Sequence, residues 1–323
     1  MRLLVTGGAG FIGSHFVRRQ ITGNSSWEKV VVLDALTYAG NLNNLADCQF
    51  DPRFEFIHGN ILDRPLVESI MSRVDLVVHF AAESHVDRSI ANPHQFVETN
   101  VLGTHVLLKA ALDNSVKTFV HVSTDEVYGS IEAGSWPESD PINPNSPYSA
   151  SKASSDLLAM SYFRTYGMDV RITRCGNNYG PYQFPEKIIP LFITNLMEGL
   201  KIPMYGDGSN IRDWIHVEDH CAGIELVATK GAAGNIYNIG GGMEITNLEL
   251  TEMILQKMGK SSDSIEKVTD RKGHDFRYSV DSAKIRTQLG YAPSIDFQSG
   301  LDSTIRWYQE NESWWQPLKS KKG

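Results

Sequence analysis

The sequence predicts an α/β fold: a doubly wound parallel sheet followed by a smaller α/β substrate-binding domain. Up to residue 178, short apolar runs rich in β-branched residues ("LLVT", "VVVLD", "FEFIH", "LVVHFA", "TFVHVS", "VRITRC") alternate with longer amphipathic stretches. Near-continuous apolar strands separated by helices belong to parallel sheets covered on both faces. A glycine-rich turn, "VTGGAGFIGSHF", links the first such strand to the first helix. Beyond about residue 180 the rhythm breaks into the loop-rich "GPYQFPEKIIP" and "GDGSNIRDW", which read as a smaller unit completing a cleft over the sheet. The expected division is 1–178 and 179–323, an approximate and interleaved boundary.

The glycine turn sets Gly7, Gly10 and Gly13 at G-x-x-G-x-x-G spacing, and Gly8, Gly10 and Gly13 at G-x-G-x-x-G. Glycine lets the backbone approach a pyrophosphate, which then sits on the positive end of the following helix. The second strand ends in Asp34, a carboxylate placed to accept a ribose 2′-hydroxyl and to repel a 2′-phosphate. No arginine stands beside it in "DALTY". The expected cofactor is therefore NAD rather than NADP.

Next comes "PHQFVETNVLGTHVLLKAALDN", with Phe96, Val97, Val101 and Leu108 at helical spacing. The following strand runs into "HVSTDEVYGS", where Asp125 and Glu126 stand side by side. Two adjacent carboxylates suit an acid/base pair better than a core, although capping or solvent exposure is the plain alternative. In "SPYSASKASSDLL", Ser146 can cap a helix and Pro147 suits its first turn, which puts Tyr148 and Lys152 one turn apart on a single face. A phenol titrates near pH 10, and an ammonium beside it favours the phenolate, so Lys152 is expected to make Tyr148 a usable base.

Composition narrows the function classes. The chain has 323 residues, 41% of them hydrophobic, with 30 Lys+Arg against 38 Asp+Glu and a net charge of −8. Its one basic run is the terminal "KSKKG", so it is a poor candidate for nucleic-acid binding. No stretch approaches a membrane span, and the opening apolar run is too short for a signal peptide. Cys48, Cys175 and Cys221 are scattered and odd in number, which argues against a disulfide framework and fits a cytoplasmic location. His216 and His220 in "HVEDH" have a spacing open to metal binding, but no third ligand is evident and no metal is expected.

The glycine turn, Asp34 and the Y-x-x-x-K pair together resemble the extended short-chain dehydrogenase/reductase family and its Rossmann-type domain. "AAESHVDRSI", "HVSTDEVYGS", "CGNNYGPYQFPEKIIPLF", "GDGSNIRDWIHVEDH" and "YNIGGGMEITNLEL" are similar to the nucleotide-sugar 4,6-dehydratases over nearly the whole chain. The resemblance implies dTDP-glucose as the substrate. Thr124 would orient the sugar 4-hydroxyl, Tyr148 with Lys152 would take its proton, Glu126 would remove the C5 proton, and Asp125 would protonate the departing 6-hydroxyl. The cofactor, regenerated in each cycle, would stay bound.

By the same resemblance Gly7, Gly10, Phe11, Ile12, Gly13 and Asp34 would line NAD. Asn60, Ile61, Ala81, Ala82, Thr99 and Asn178 would complete that site with Tyr148 and Lys152. Ser84, Thr124, Asn177, Lys187, Pro203 and Tyr205 would meet the nucleotide sugar, as would Arg212, Asn247, Arg271 and His274. Arginine suits the diphosphate through its bidentate fork. Two departures stand out. "GNILD" replaces the family's frequent "GDIRD", so Asn60 keeps an acceptor for the adenine amino group without the charge. "DRKGHD" carries Lys272 where proline is commoner. The resemblance also implies a homodimer in which helices near 96–113 and 148–165 pair with their copies as a four-helix bundle. A dehydratase of a UDP- or GDP-sugar and a 4-epimerase remain alternatives, as does an NAD-sensing regulator. A regulator would not need Tyr148, Lys152 and the acidic pair together.

Overall fold

The computed structural model describes residues 1–23, 26–270 and 273–320; the expected site residue Arg271, and Lys272, lie outside the described residues. The apolar runs form β1 (Arg2–Thr6), β2 (Lys29–Asp34), β3 (Phe54–His58), β4 (Leu76–His79), β5 (Thr118–Thr124) and β6 (Val170–Cys175). Later strands are β7 (Asn177–Tyr179), β8 (Ile202–Tyr205), β9 (Ile211–His216), β10 (Ile236–Ile239), β11 (Met243–Thr246) and β12 (Ile265–Val268). The helices of the first half are α1 (Phe11–Thr22), α2 (Arg64–Met71), α3 (Val86–Ala91), α4 (Pro93–Phe96), α5 (Thr104–Asp113) and α6 (Pro147–Tyr166). Those of the second half are α7 (Ile188–Met197), α8 (Val217–Lys230), α9 (Asn247–Lys257), α10 (Ala283–Leu289), α11 (Phe297–Glu310) and α12 (Glu312–Ser320).

A seven-stranded sheet runs β10-β6-β5-β4-β1-β2-β3, and every neighbouring pair is parallel. This is the Rossmann-type arrangement. Strand order reverses between β1 and β4, and the crevice at such a reversal is where α/β sheets bind ligands. β10 and α8 lie beyond residue 178 yet pack on this sheet. The smaller unit has a three-stranded sheet, β11-β9-β7, and the pair β12-β8.

Successive strand residues point to opposite faces, so each strand feeds two cores. Leu3, Val5, Val32 and Val78 pack with Phe16 and Val17 of α1 and with Ile224 and Val227 of α8. Leu4, Val31, Leu33 and Val77 face the other way, against Val67 and Ile70 of α2, Leu107 and Leu108 of α5 and Ala159 of α6. A third core joins Phe192 and Ile193 of α7, Ile254 of α9, Leu301 and Ile305 of α11, and Trp315 of α12. Full burial of each such side chain contributes about 1.5–3 kcal/mol, and these cores hold still the strand ends that carry the site.

One periodicity expectation is corrected. The helical stretch after Pro93 contains a π-helical segment, residues 97–103, between α4 and α5. Its wider turns shift the phase of the apolar stripe, so Phe96 is 1% exposed whereas Val97 is 54% exposed. Val97 belongs to the outer face and not to the core stripe.

Candidate active site

A cavity of about 670 Å³ opens at the carboxyl ends of the parallel strands. All the residues expected to meet NAD line it, and Thr124, Asp125, Glu126, Ser84, Asn177 and Lys187 line it too. The glycine loop forms its floor. Gly7 has φ +68°, and a Cβ there would stand 2.6 Å from the Ala81 nitrogen. At Gly13 a Cβ would meet the Gly7 carbonyl oxygen. Gly10 differs: its Cβ would meet only the Gly7 oxygen, at 3.3 Å. The protein could nearly tolerate a methyl there, so packing alone does not demand a glycine at this position. Gly10 is also the N-cap of α1 and has no side chain to cap the first turn. Those N–H groups and the helix dipole suit a diphosphate.

Asp34 is 8% exposed and accepts the Ala9 N–H at 2.9 Å and the Leu36 N–H at 2.8 Å. Its carboxylate is thereby aimed from the end of β2 into the cavity wall. Asn60 spends part of its acceptor capacity locally, because its Oδ1 takes the Leu62 N–H at 2.9 Å.

Asp125 and Glu126 open a single 3₁₀ turn, Asp125–Tyr128, directly after β5. Thr124 caps that turn. Its hydroxyl accepts the Glu126 N–H at 3.3 Å and donates to Asp125 Oδ1 at 3.2 Å. The neighbours then part company. Asp125 is 3% exposed, and its Oδ2 has no hydrogen-bond partner among the described residues. Burial, then the charges of Glu126 and Asp213, push its carboxyl well above the usual range. Asp125 is therefore the more buried of the two, its carboxyl shifted toward the acid form, while Glu126 stands half-buried at the cavity wall.

Ser146 caps α6 in a reciprocal pair with Ser149, and Pro147 occupies the first turn. Tyr148 and Lys152 then share the inner face of that helix. The expectation that Lys152 draws the phenol down is corrected here. Lys152 donates to the Val122 carbonyl at 2.9 Å, and burial, followed by the Glu126 charge, pushes Tyr148 well above its usual value despite its side-chain interaction with Thr124. Burial also brings Lys152 down to about 8.

A buried cluster behind this face, Asp156 with Arg174 and His121, escaped the sequence reading. Asp156 accepts the Arg174 guanidinium at 2.8 Å and lies 3.4 Å from His121. Its negative charge holds Lys152 up against desolvation. The signal was present, because Asp156 repeats the four-residue step from Tyr148 to Lys152. The sequence reading also missed the outer wall of the cavity, where Arg88 lies 3.9 Å over the Tyr38 ring and donates to Glu186 at 3.2 Å.

Pro203, Tyr205, Arg212, Asn247 and His274 fall outside that lining and gather around the segment near Asp275. Arg212 donates to the Asp275 carbonyl at 2.9 Å and lies 4.5 Å over the Tyr278 ring. Asn247 bonds Asn210 through the backbone, and Asn210 reaches the Asp275 carbonyl. The Tyr205 and His274 rings meet at 6.5 Å, while Pro203 sits in β8 opposite Glu266. Arg212 links the two regions, since its charge acts on Asp125. Lys187 donates to the Ser84 carbonyl at 3.0 Å. His216 caps α8, and His220 pairs with Asn178 Oδ1 at 2.9 Å.

The comparisons with known proteins agree with this geometry. The family model described as GDP-mannose 4,6 dehydratase matches residues 4–304. A dTDP-glucose 4,6-dehydratase of Streptomyces antibioticus is 59% identical, over 99% of this chain and 96% of that protein. The crystal structure of the dTDP-glucose 4,6-dehydratase DesIV from Streptomyces venezuelae, with NAD and TYD bound, superposes with a TM-score of 0.98. It is 61% identical and covers 98% of this chain and 100% of that one. A dTDP-glucose 4,6-dehydratase from Bacillus anthracis in complex with NAD gives 0.92 at 48% identity, covering 98% and 99%. With a matched family model over nearly its whole length and a relative 59% identical across 99% of it, the chain belongs to the nucleotide-sugar 4,6-dehydratase family.

Proposed function

We propose that the protein converts dTDP-glucose into dTDP-4-keto-6-deoxyglucose and water, as an NAD-dependent hydro-lyase of deoxysugar biosynthesis. The observation that carries this reading is the unlike pair after β5: a buried Asp125, its carboxyl raised by burial, beside a half-buried Glu126, in one cavity with Tyr148. Oxidation alone needs only the hydroxyl, phenol and ammonium. Elimination also needs a base for one proton and an acid for the leaving group.

NAD, held by the glycine loop and Asp34, would supply a reversible acceptor for the hydride that leaves C4 and is needed at C6. Thr124 orients the sugar 4-hydroxyl and Tyr148 receives its proton. Burial and Glu126 raise the phenol in the chain alone, and the positive charge of a bound oxidised cofactor in the same cavity would act the other way. A 4-ketone acidifies the adjacent C5–H, which Glu126 removes. Asp125, its carboxyl raised by burial, gives the departing 6-hydroxyl its proton, so water leaves without generating hydroxide, and C5 takes up a proton as hydride returns to C6. Residues 1–178 chiefly hold NAD in this reading. Residues 179–323 chiefly hold the nucleotide sugar, with Arg212, Asn247 and His274 nearest its diphosphate.

The decisive experiment places deuterium at C4 of dTDP-glucose. The label is expected on the C6 methyl of the product, with a solvent-derived proton at C5. Label returned to C4 with inverted configuration would identify a 4-epimerase, and a preference for UDP- or GDP-glucose would reassign the base.

We also infer a cytoplasmic homodimer. Leu157 on α6 is 60% exposed, and Val97 and Leu102 in the π-helical segment are 54% and 44% exposed, an apolar outer face on the two helices expected to pair. Cys48, Cys175 and Cys221 are free and buried, which suits a reducing compartment. A monomeric sedimentation profile at micromolar concentration would overturn the dimer.

A further inference from the structure

The glycine loop is tethered to a helix far away in sequence. Ala9, at the loop's centre, donates its N–H to Asp34 at 2.9 Å. Its carbonyl accepts the Asn41 N–H at 3.0 Å and the Asn44 side-chain amide at 2.9 Å. Asn44 is 2% exposed, and its Oδ1 accepts the indole N–H of Trp314 in α12 at 2.9 Å. One amide thus uses both ends: it holds the loop carbonyl and is itself held by the last helix.

The same aromatic cluster grips the opposite wall of the cavity. Tyr182 precedes the lining residues Gln183 and Phe184 and has φ +64°, a left-handed conformation that costs a non-glycine residue roughly 1–3 kcal/mol and persists only where the surroundings impose it. Trp307 and Trp314 pack on its ring at 4.5 and 5.6 Å. Arg18 lies 4.2 Å over that ring and also donates to the Asn44 carbonyl at 2.5 Å. Tyr308, fully buried, donates to the Gln183 carbonyl at 2.5 Å. Gln183 in turn donates to the Asn178 carbonyl at 2.9 Å.

We propose that α11 and α12 form an aromatic strap across the cofactor cavity, and that Trp314, acting through Asn44 on the Ala9 carbonyl, is a positioning residue for retention of the dinucleotide. An untethered carbonyl at Ala9 could swing toward a phosphate and repel it. With the carbonyl fixed by two donors, the loop keeps a single shape, and the bound dinucleotide meets a preorganised cradle. This explains how an ordinary glycine loop holds a cofactor that must stay through every cycle. The proposal rests on the assignment of the cavity to NAD.

The test follows release of labelled NAD from the loaded enzyme into excess unlabelled NAD, alongside the thermal midpoint of NAD-free protein. Trp314→Phe keeps a ring but removes the indole donor, and release should quicken about 3- to 10-fold, the effect of one net hydrogen bond. Asn44→Ala should quicken it further, and adding Trp314→Phe to Asn44→Ala should change nothing more, because the relay is already cut. If Asn44→Ala does not fold, Trp314→Phe decides alone: faster release with a near-unchanged midpoint supports the strap. Wild-type release in Trp314→Phe, or multiplicative effects in the double variant, would overturn it. Wild-type protein that retains no NAD would overturn the cavity's assignment and the strap with it.

Discussion

Lys152 and Asp156 stand one helical turn apart on the buried face of α6, 4% and 1% exposed. The charge of the first depends on the second. Burial draws Lys152 down to about 8 while Asp156 holds it up. Asp156 stays ionised, at about 2, although burial opposes it, because Arg174 and His121 outweigh that cost. His79, His121 and Cys175 also face the ammonium. The ammonium is fully present below pH about 8 and is lost above it, so the pH–rate profile should fall on its alkaline side from about 8. Lys152→Arg, which does not deprotonate, should lower the rate yet remove that limb.

The acid pair separates under substitution. Burial raises the Asp125 carboxyl well above its usual value, so Asp125→Asn keeps the shape without stranding a buried charge, and the thermal midpoint should stay near that of the wild type. The rate should still drop about 10²–10⁴-fold, since an amide cannot protonate the leaving oxygen. Glu126→Gln should also lose about 10²–10⁴-fold, but with a distinct signature. C4 oxidation proceeds and C5 deprotonation does not, so near-ultraviolet absorbance of reduced cofactor should build up on the enzyme. Equal behaviour of the two variants would remove their separate roles.

Gly7 and Gly10 should fail in different ways. Gly7→Ala forces a left-handed backbone and a contact 2.6 Å from the Ala81 nitrogen, so it should destabilise the fold by roughly 1–3 kcal/mol. Gly10→Ala meets only the Gly7 oxygen, at 3.3 Å, so the fold should hold while NAD affinity falls by at least about tenfold. Calorimetric melting paired with NAD titration distinguishes them. NADP should substitute for NAD in neither the wild-type protein nor the variants, because Asp34 meets its 2′-phosphate.

Acid should destabilise the protein earlier than its carboxylates require. Burial holds His121 to about 4 and His220 to about 3, from 6.5. Below pH 6.5 the unfolded chain takes up protons that the folded one refuses. Stability therefore falls with pH down to those values, by at most about 1.4 kcal/mol per pH unit for each histidine. Urea unfolding at pH 7 and pH 5 measures the slope, and His220→Gln should flatten it.

Much of this protein is legible along the chain because its signals are local. Apolar runs of strand length, a glycine spacing between strand and helix, and the turn from Tyr148 to Lys152 each occupy a few consecutive residues, and backbone geometry alone connects them to structure. Asp125 and Glu126 were legible as an unusual pair, and Asp34 as the end of a strand. Their protonation was not. Burial, then the charges of Glu126 and of Asp213 from β9, push the Asp125 carboxyl up, and of these only Glu126 is written beside residue 125. Likewise Lys152 reaches the Val122 carbonyl rather than the phenol, and a π-helical segment turns Val97 outward, through packing between elements that no periodicity reports. The longest such link joins Asn44 to Trp314 across 270 positions. Desolvation and long-range contact are properties of the assembled volume, so only the tertiary structure decided which carboxylate burial raises and which helix meets Asn44 behind the glycine loop.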